Sequence, residues 1–248
     1  NANLRNDMDT EAKELLGADL SVDSDHHPLN QEMVTYLDSL SEEMANNARF
    51  GSMVYFPKNG GSRLIRVNAL EGNFPFYGAF ELTPGSELKN FREGREALID
   101  ETLATQFDIE VGDSLKLGNS QFRISGIVTQ FPGSTNMSAT FAPSVYLPFN
   151  KLEETGLIQY GSRIEYNYYY RIGEEKTEIA IKKLEEIEDS EDIHWETAES
   201  EKEDLSRGFQ NLYKYFKLLG FVALILGCIG VASSIFVYMR EKRNAVAV

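Results

Sequence analysis

An uncharged apolar run, Leu218–Met239, constrains this chain more than any other feature. It reads LLGFVALILGCIGVASSIFVYM, and at about 1.5 Å per residue a helix of this length just crosses a hydrocarbon layer of about 30 Å. A buried core helix rarely runs this far without a charge. Lys214 and Lys217 stand before the run with Tyr213, Tyr215 and Phe216, the residues of an interfacial aromatic belt. Arg240-Glu241-Lys242-Arg243 follow it. The tighter cationic cluster is C-terminal, which puts residues 240–248 at the start of a cytoplasmic segment and the large region before the run outside. The chain begins on Asn1 and stops at Val248 without boundary signals, and reads as a segment of a longer protein.

The region before the run is acidic. The 248 residues carry a net charge of −15, whereas a nucleic-acid binder needs a basic face for its phosphate contacts; nucleic acid is excluded as a partner. The single cysteine, Cys228, lies inside the apolar run, so no disulfide framework can form within the chain.

Hydrophobic periodicity divides the soluble part. Residues 1–17 read as an amphipathic stalk helix with the stripe Leu4, Met8, Ala12, Leu15, ended by Gly17. Residues 204–217 carry a matching stripe, Leu205, Phe209, Leu212, Phe216, which runs straight into the membrane helix at 218–239. The two stripes are expected to form a paired stalk or to pack separately on the domain body. Between them, residues 18–73 and 163–203 supply strands and helices. These are a strand over Ala18–Ser24, a helix opened by Pro28 with the stripe Met33, Leu37, Leu40, Met44, and strands around the turn Lys58-Asn59-Gly60-Gly61. Later come the strand Tyr166–Ile172, the helix Lys176–Asp189 and the strand Ile193–Thr197. The tyrosines of Tyr166–Ile172 alternate as on a strand with one packed face.

Residues 74–162 differ, with short strands, glycine turns and most of the prolines. Asp100-Glu101 opens a short helix, Gly118-Asn119 turns a hairpin, Gly126 marks a bulge, and Phe149–Gly156 reads as a further short helix. The expected fold is therefore α+β: a porter-like layered subdomain with an inserted mostly-β subdomain, amphipathic stalk helices and one transmembrane helix.

The chain lacks the residue constellations of the common catalytic sites. There is no GxxxxGK[ST] loop, GxSxG elbow, HExxH or CxxC. His26, His27 and His194, with Asp23 and Asp25 nearby, read as loop and strand-edge residues rather than a metal site. No catalytic, cofactor or metal residue is assigned. Two loops are unusually apolar, one holding Phe74, Phe76, Tyr77 and Phe80, the other Phe131 and Met137. They serve either as a contact surface for a partner or hydrophobic cargo, or as plugs between the subdomains.

The order of several short motifs resembles the large extracytoplasmic domain of MacB/LolC/FtsX-type ABC transporter permeases, most of all the long two-half permeases. The matching passages are Leu15-Leu16-Gly17-Ala18-Asp19-Leu20, Val67–Pro75, Ala97–Leu117 with its Val111-Gly112-Asp113, and Phe122–Val128. Thr155-Gly156-Leu157-Ile158 with Gly161-Ser162-Arg163, and the exit run Arg240-Glu241-Lys242-Arg243, complete the series. The resemblance implies a non-enzymatic permease segment in a bacterial inner membrane, mostly extracytoplasmic. It further implies a separate cytoplasmic ATPase subunit carrying ATP and magnesium, a second permease half or copy, and contact with membrane lipid and an envelope protein. Nucleotide-driven motion would pass through the stalks to the outer domain, a behaviour called mechanotransmission. In some relatives the outer domain instead binds and activates an envelope protein, which makes a signalling module the alternative.

Overall fold

The structure, a computed structural model, describes residues 10–83, 91–92, 94–131, 142–158, 162–186 and 193–245; the side chains of 204–206, 209–211 and 240–245 lie outside that description. The chain divides into two compact units, residues 1–201 and 202–248.

The first unit opens with a helix over residues 10–16 (α1). Gly17 ends it at φ +71°, its N–H donating to the Lys13 carbonyl at 2.8 Å. A side chain there would meet both that left-handed backbone and the Phe74 ring, 2.8 Å from an added Cβ. Four strands follow a split βαβ plan: β1 (Leu20–Asp25), β2 (Glu43–Phe56), β9 (Glu165–Arg171) and β10 (Ile193–Thr197), in the spatial order β10-β1-β9-β2. All three pairings are antiparallel. Helices α2 (Gln31–Leu40) and α4 (Glu174–Glu185) bury Met33, Leu37, Ala180 and Leu184 in one core with Leu20, Val22, Tyr168 and Tyr170.

Asn30, not Pro28, starts α2: its side-chain oxygen accepts the Glu32 N–H at 3.0 Å, relieving a free donor of the first turn. The helix stops at Leu40, so Met44, read from sequence as its last apolar residue, lies on β2 instead. In α1 Ala12 of the sequence-read stripe is buried, but Leu16 rather than Leu15 is the inward residue of the next turn, and Leu15 is exposed. Leu4 and Met8 lie outside the described residues. The tyrosine strand packs on both faces, with Tyr168 and Tyr170 toward the helices and Tyr169 in the core on the opposite side. A central strand covered on both sides loses the alternation that a half-solvated strand shows.

Between β2 and β9 the chain builds a closed ring. β3 (Gly61–Glu71) pairs β2 antiparallel and β8 (Ser144–Pro148) parallel. The ring continues through β5 (Glu96–Asp100), β7 (Ser120–Gln130) and β6 (Ser114–Leu117), and β6 returns to β2. A short β4 (Glu81–Leu82) adds to β7. β2 can serve both parts because it runs 14 residues: its first half pairs β9 and its second half closes the ring. β3, grouped from sequence with the porter-like residues, gives Ile65, Val67 and Ala69 to the ring core. That core also holds Phe56, Leu103, Phe122 and Val145. Helix α3 (Glu101–Phe107) is N-capped by Asp100, whose carboxylate accepts the Thr102 N–H at 2.8 Å.

The bulge expected near Gly126 is present. The β5–β7 register slips between Ala97 and Leu98, which pair with Ile124 and Gly126. The extra residue changes the parity of β7, so Phe122 and Ile124 face the ring core but Val128 faces the aromatic core on the other side. Phe149–Gly156 forms two single 3-10 turns, Phe149–Lys151 and Glu153–Thr155, rather than a helix. Here Gly118 (φ +54°) is pressed against the turn, with the Thr155 carbonyl 2.2 Å from where a Cβ would stand.

Helix α5 (Ala198–Ala245) runs 48 residues. Its N-terminus is fixed reciprocally: Thr197 N–H donates to Ser200 Oγ at 2.9 Å, and Ser200 N–H to Thr197 Oγ1 at 3.1 Å. Leu212–Met239 within α5 is long and apolar enough to cross a membrane. Stalk and membrane segments are thus stretches of one helix, and the backbone stays helical through Gly208.

Candidate functional site

The first apolar loop packs against Phe131, the described residue of the second. Phe74 is buried and stacks on Tyr169, ring centroids 3.9 Å apart. Phe131, at the end of β7, packs 5.7 Å from Phe74, 5.1 Å from Phe80 and 4.9 Å from Tyr146. Leu16, Ala45, Leu70, Leu98 and Val128 complete this core, and Phe76 packs at its edge. Phe74 and Phe131 therefore have packing roles, while Phe76, Tyr77 and Phe80 remain partly exposed. Met137 lies outside the described residues. Burial pushes the Tyr169 hydroxyl up to about 12, in keeping with a tyrosine in a sealed aromatic core.

Beside this core lies a polar knot that sequence reasoning did not single out. Asp19, between α1 and β1, is buried. Its Oδ1 pairs with Lys13 Nζ at 2.9 Å. Its Oδ2 accepts the Tyr77 hydroxyl at 2.7 Å and the Ile172 N–H at 3.1 Å. The Asp19 carbonyl accepts the N–H of Ala198, the first residue of α5, at 3.1 Å. Lys13 Nζ also sits 5.2 Å over the Tyr77 ring, a cation–π contact. The Gly17 carbonyl takes the N–H groups of Phe76 at 2.8 Å and Tyr77 at 3.4 Å. Burial first, then the hydrogen bond to Asp19, pushes the Tyr77 hydroxyl well above its ordinary range, so it donates at every physiological pH. The sequence showed Tyr77 in an apolar loop and Asp19 as a charge inside the apolar stretch Leu15–Leu20, with no local feature to join them.

The family model for the MacB-like periplasmic core domain matches residues 9–192. The chain belongs to the MacB-like periplasmic core domain family. It is 25% identical over 186 residues to an uncharacterized ABC transporter permease, YbbP, of Escherichia coli (strain K12). That match takes in 75% of this chain and 23% of the relative, so the chain spans about a quarter of that protein's length. Among solved structures, the periplasmic region of MacB from Actinobacillus actinomycetemcomitans is similar with a TM-score of 0.48 and 13% identity, over 78% of this chain and 95% of that one. The extracellular domain of the ABC-type transporter YknZ from Gram-positive bacteria gives 0.48 and 11%, over 68% and 89%.

This MacB-like domain presents two further surface features. A cleft of about 300 Å³ opens on the helix-covered side of the sheet, among Pro28, Asn46, Phe149, Leu152, Tyr166 and Tyr168. At the turn end of the β2–β3 hairpin, Met53 and Leu64 face each other across the strands, 53% and 60% exposed, with Tyr55 beside them. Of the stalk residues named from sequence, Leu212 and Phe216 are exposed on α5, and Leu205 and Phe209 lie on its backbone with side chains outside the description. His26 turns the chain at φ +71° and accepts from Arg163 Nε at 3.4 Å, while His194 sits on β10 opposite Asp23. Among the described residues no three His, Cys, Asp or Glu side chains group as metal ligands.

Proposed function

We propose that this chain is the extracytoplasmic domain and following membrane helix of an ABC transporter permease in a bacterial inner membrane. It couples ATP hydrolysis in a separate cytoplasmic ATPase, which carries the nucleotide and magnesium, to extraction or export of a hydrophobic or envelope substrate. The observation that carries this reading is the MacB-like domain joined, through the single helix Ala198–Ala245, to an apolar segment of membrane length. A helix without a break is suited to carrying displacement along its axis, since each residue is locked to the next turn by backbone hydrogen bonds. This chain does no bond-breaking chemistry in that scheme; a second permease half or copy and membrane lipid complete it. The test is purification of the intact membrane protein in mild detergent. Recovery of an ATPase inhibited by vanadate is expected, and its absence under conditions that keep such complexes together overturns the assignment. In the same complex Leu212→Pro should abolish coupling while the outer domain folds normally, because proline removes a helix hydrogen bond and kinks the axis.

A signalling role is the second reading, favoured by the exposed Met53, Tyr55 and Leu64. An open patch with an aromatic anchor suits a protein partner better than an acyl chain, which needs an enclosing groove. Substitution of these residues by serine separates the two readings. Loss of an envelope protein from the purified complex supports the signalling role, and unchanged composition removes it.

A further inference from the structure

Asp19, inside one of the passages that carry the family resemblance, gathers partners from distant parts of the chain on its carboxylate. Lys13 and Asp19 belong to the α1–β1 passage and Tyr77 to the segment after Pro75, with 58 positions between Asp19 and Tyr77. The Ile172 N–H, 153 positions on, comes from the link between β9 and α4. The Ala198 N–H comes from the root of α5. Three segments remote from Asp19 in sequence are therefore tied to it, two through its carboxylate Oδ2 and one through its carbonyl, while the nearby Lys13 cation pairs with Oδ1. Each of these bonds has a near-ideal length, and the carboxylate is largely out of water, where a charge-assisted hydrogen bond is strongest and least tolerant of a missing partner.

A fixed bridge of this kind has a mechanical consequence. Both helices that flank the domain, α1 and α5, end on Asp19 or within a few residues of it. The aromatic segment ends there too, through Tyr77 and through the Phe76 N–H on the Gly17 carbonyl. Without the bridge, movement of a helix root would be absorbed in the loops at 17–19 and 72–80. With it, the root and the aromatic segment move as one body.

We propose that Asp19, with Lys13 and Tyr77, is a coupling clasp that passes displacement of the α1 and α5 roots to the aromatic segment 74–80. The inference rests on the permease reading given above. Asp19 and Tyr77 are positioning residues in it: they touch no cargo, and they act by holding Phe74, Phe76 and Phe80 in register with the helices.

Hydrogen exchange on the full-length permease with its ATPase in lipid nanodiscs tests this, comparing the nucleotide-free state with ATP plus vanadate. In the wild type, peptides covering the helix roots and those covering 74–80 should both change exchange rate between the two states, by about tenfold. In Asp19→Ala the helix-root response and ATP hydrolysis should persist while the response at 74–80 falls several-fold, only the backbone bonds to Gly17 remaining. Tyr77→Phe, which leaves Lys13 and the Ile172 N–H on the carboxylate, should reduce it in part. Leu16→Ala loosens the same neighbourhood by removing buried apolar volume but leaves the clasp intact, and should keep the response at 74–80. If Asp19→Ala yields no folded complex, Lys13→Met with Tyr77→Phe removes two arms and should give the same loss. An undiminished response at 74–80 in the Asp19 and double variants overturns the clasp and leaves the permease reading standing. A wild type with no nucleotide response at either helix root overturns both.

Discussion

The two ends of the β2–β3 hairpin carry the same alternating pattern on the same face and meet opposite fates. At the end near the α5 root, Ala45 and Leu70 are roofed by Phe74, Tyr169 and Leu16. At the turn end, Met53, Tyr55 and Leu64 stand open. Asn47 and Asn68 lie between, buried and joined at 3.3 Å. Strand alternation gives a side chain its face; whether that face is core or surface depends on what the rest of the chain lays over it. Near the root, α1 and the 74–80 segment supply the cover. At the turn, the chain spends its contacts along the edge: Lys58 bonds the Asp108 carbonyl at 2.8 Å and Asp113 at 2.9 Å.

The covered end of the hairpin depends most on Phe74. Phe74→Ala should destabilise the domain by about 3–5 kcal/mol, because a buried aromatic leaves a cavity its neighbours cannot fill. Denaturant unfolding followed by the fluorescence of Trp195, the single tryptophan, measures it. A loss under about 1 kcal/mol would mean that the aromatic roof is loose. Gly118→Ala comes next, at about 1–3 kcal/mol, since alanine is strained at positive φ and its Cβ would press on Thr155. The same unfolding curve reads it, and full stability would show that the 118–156 contact gives way.

A smaller effect concerns the turn end and acid. The Glu110 N–H, and after it Lys58, hold the Asp113 carboxyl below its ordinary range. A folded-state value lower than the unfolded one, near 4, adds stability that is complete above about pH 5 and is lost as pH falls through the folded value. Wild type should therefore exceed Asp113→Asn in stability at neutral pH, and the gap should close below pH about 4. A gap independent of pH would assign the difference to packing instead. The smallest effect is expected at Met53→Ser and Leu64→Ser, within about 0.5 kcal/mol, as for open surface positions. A larger loss in the intact membrane protein than in the isolated domain would show that a partner covers this end.

Much of the local structure was legible. The membrane segment, the Gly118-Asn119 hairpin, the Gly126 bulge and the helix start at Asp100-Glu101 all follow from short-range chemistry: absence of charge, permitted backbone angles, and acidic residues at the positive end of a helix. The Asn30 cap was equally readable but Pro28 masked it, as both residues favour helix starts. The tyrosine strand misled because a strand buried on both faces keeps no polar face to reveal the period.

By itself the sequence determined the membrane segment, the hairpin turns and most helices and strands, because those choices are settled within a few residues by periodicity, capping and charge; the end of α2 and the 3-10 turns at Phe149–Thr155 were not among them. Only the tertiary structure decided that β6 closes a ring onto β2, that Phe74 and Phe131 are core, and that Lys13, Asp19 and Tyr77 meet beside the root of α5. Those outcomes depend on register between strands far apart in the chain, where the free energy of a contact comes from surfaces that no local window contains.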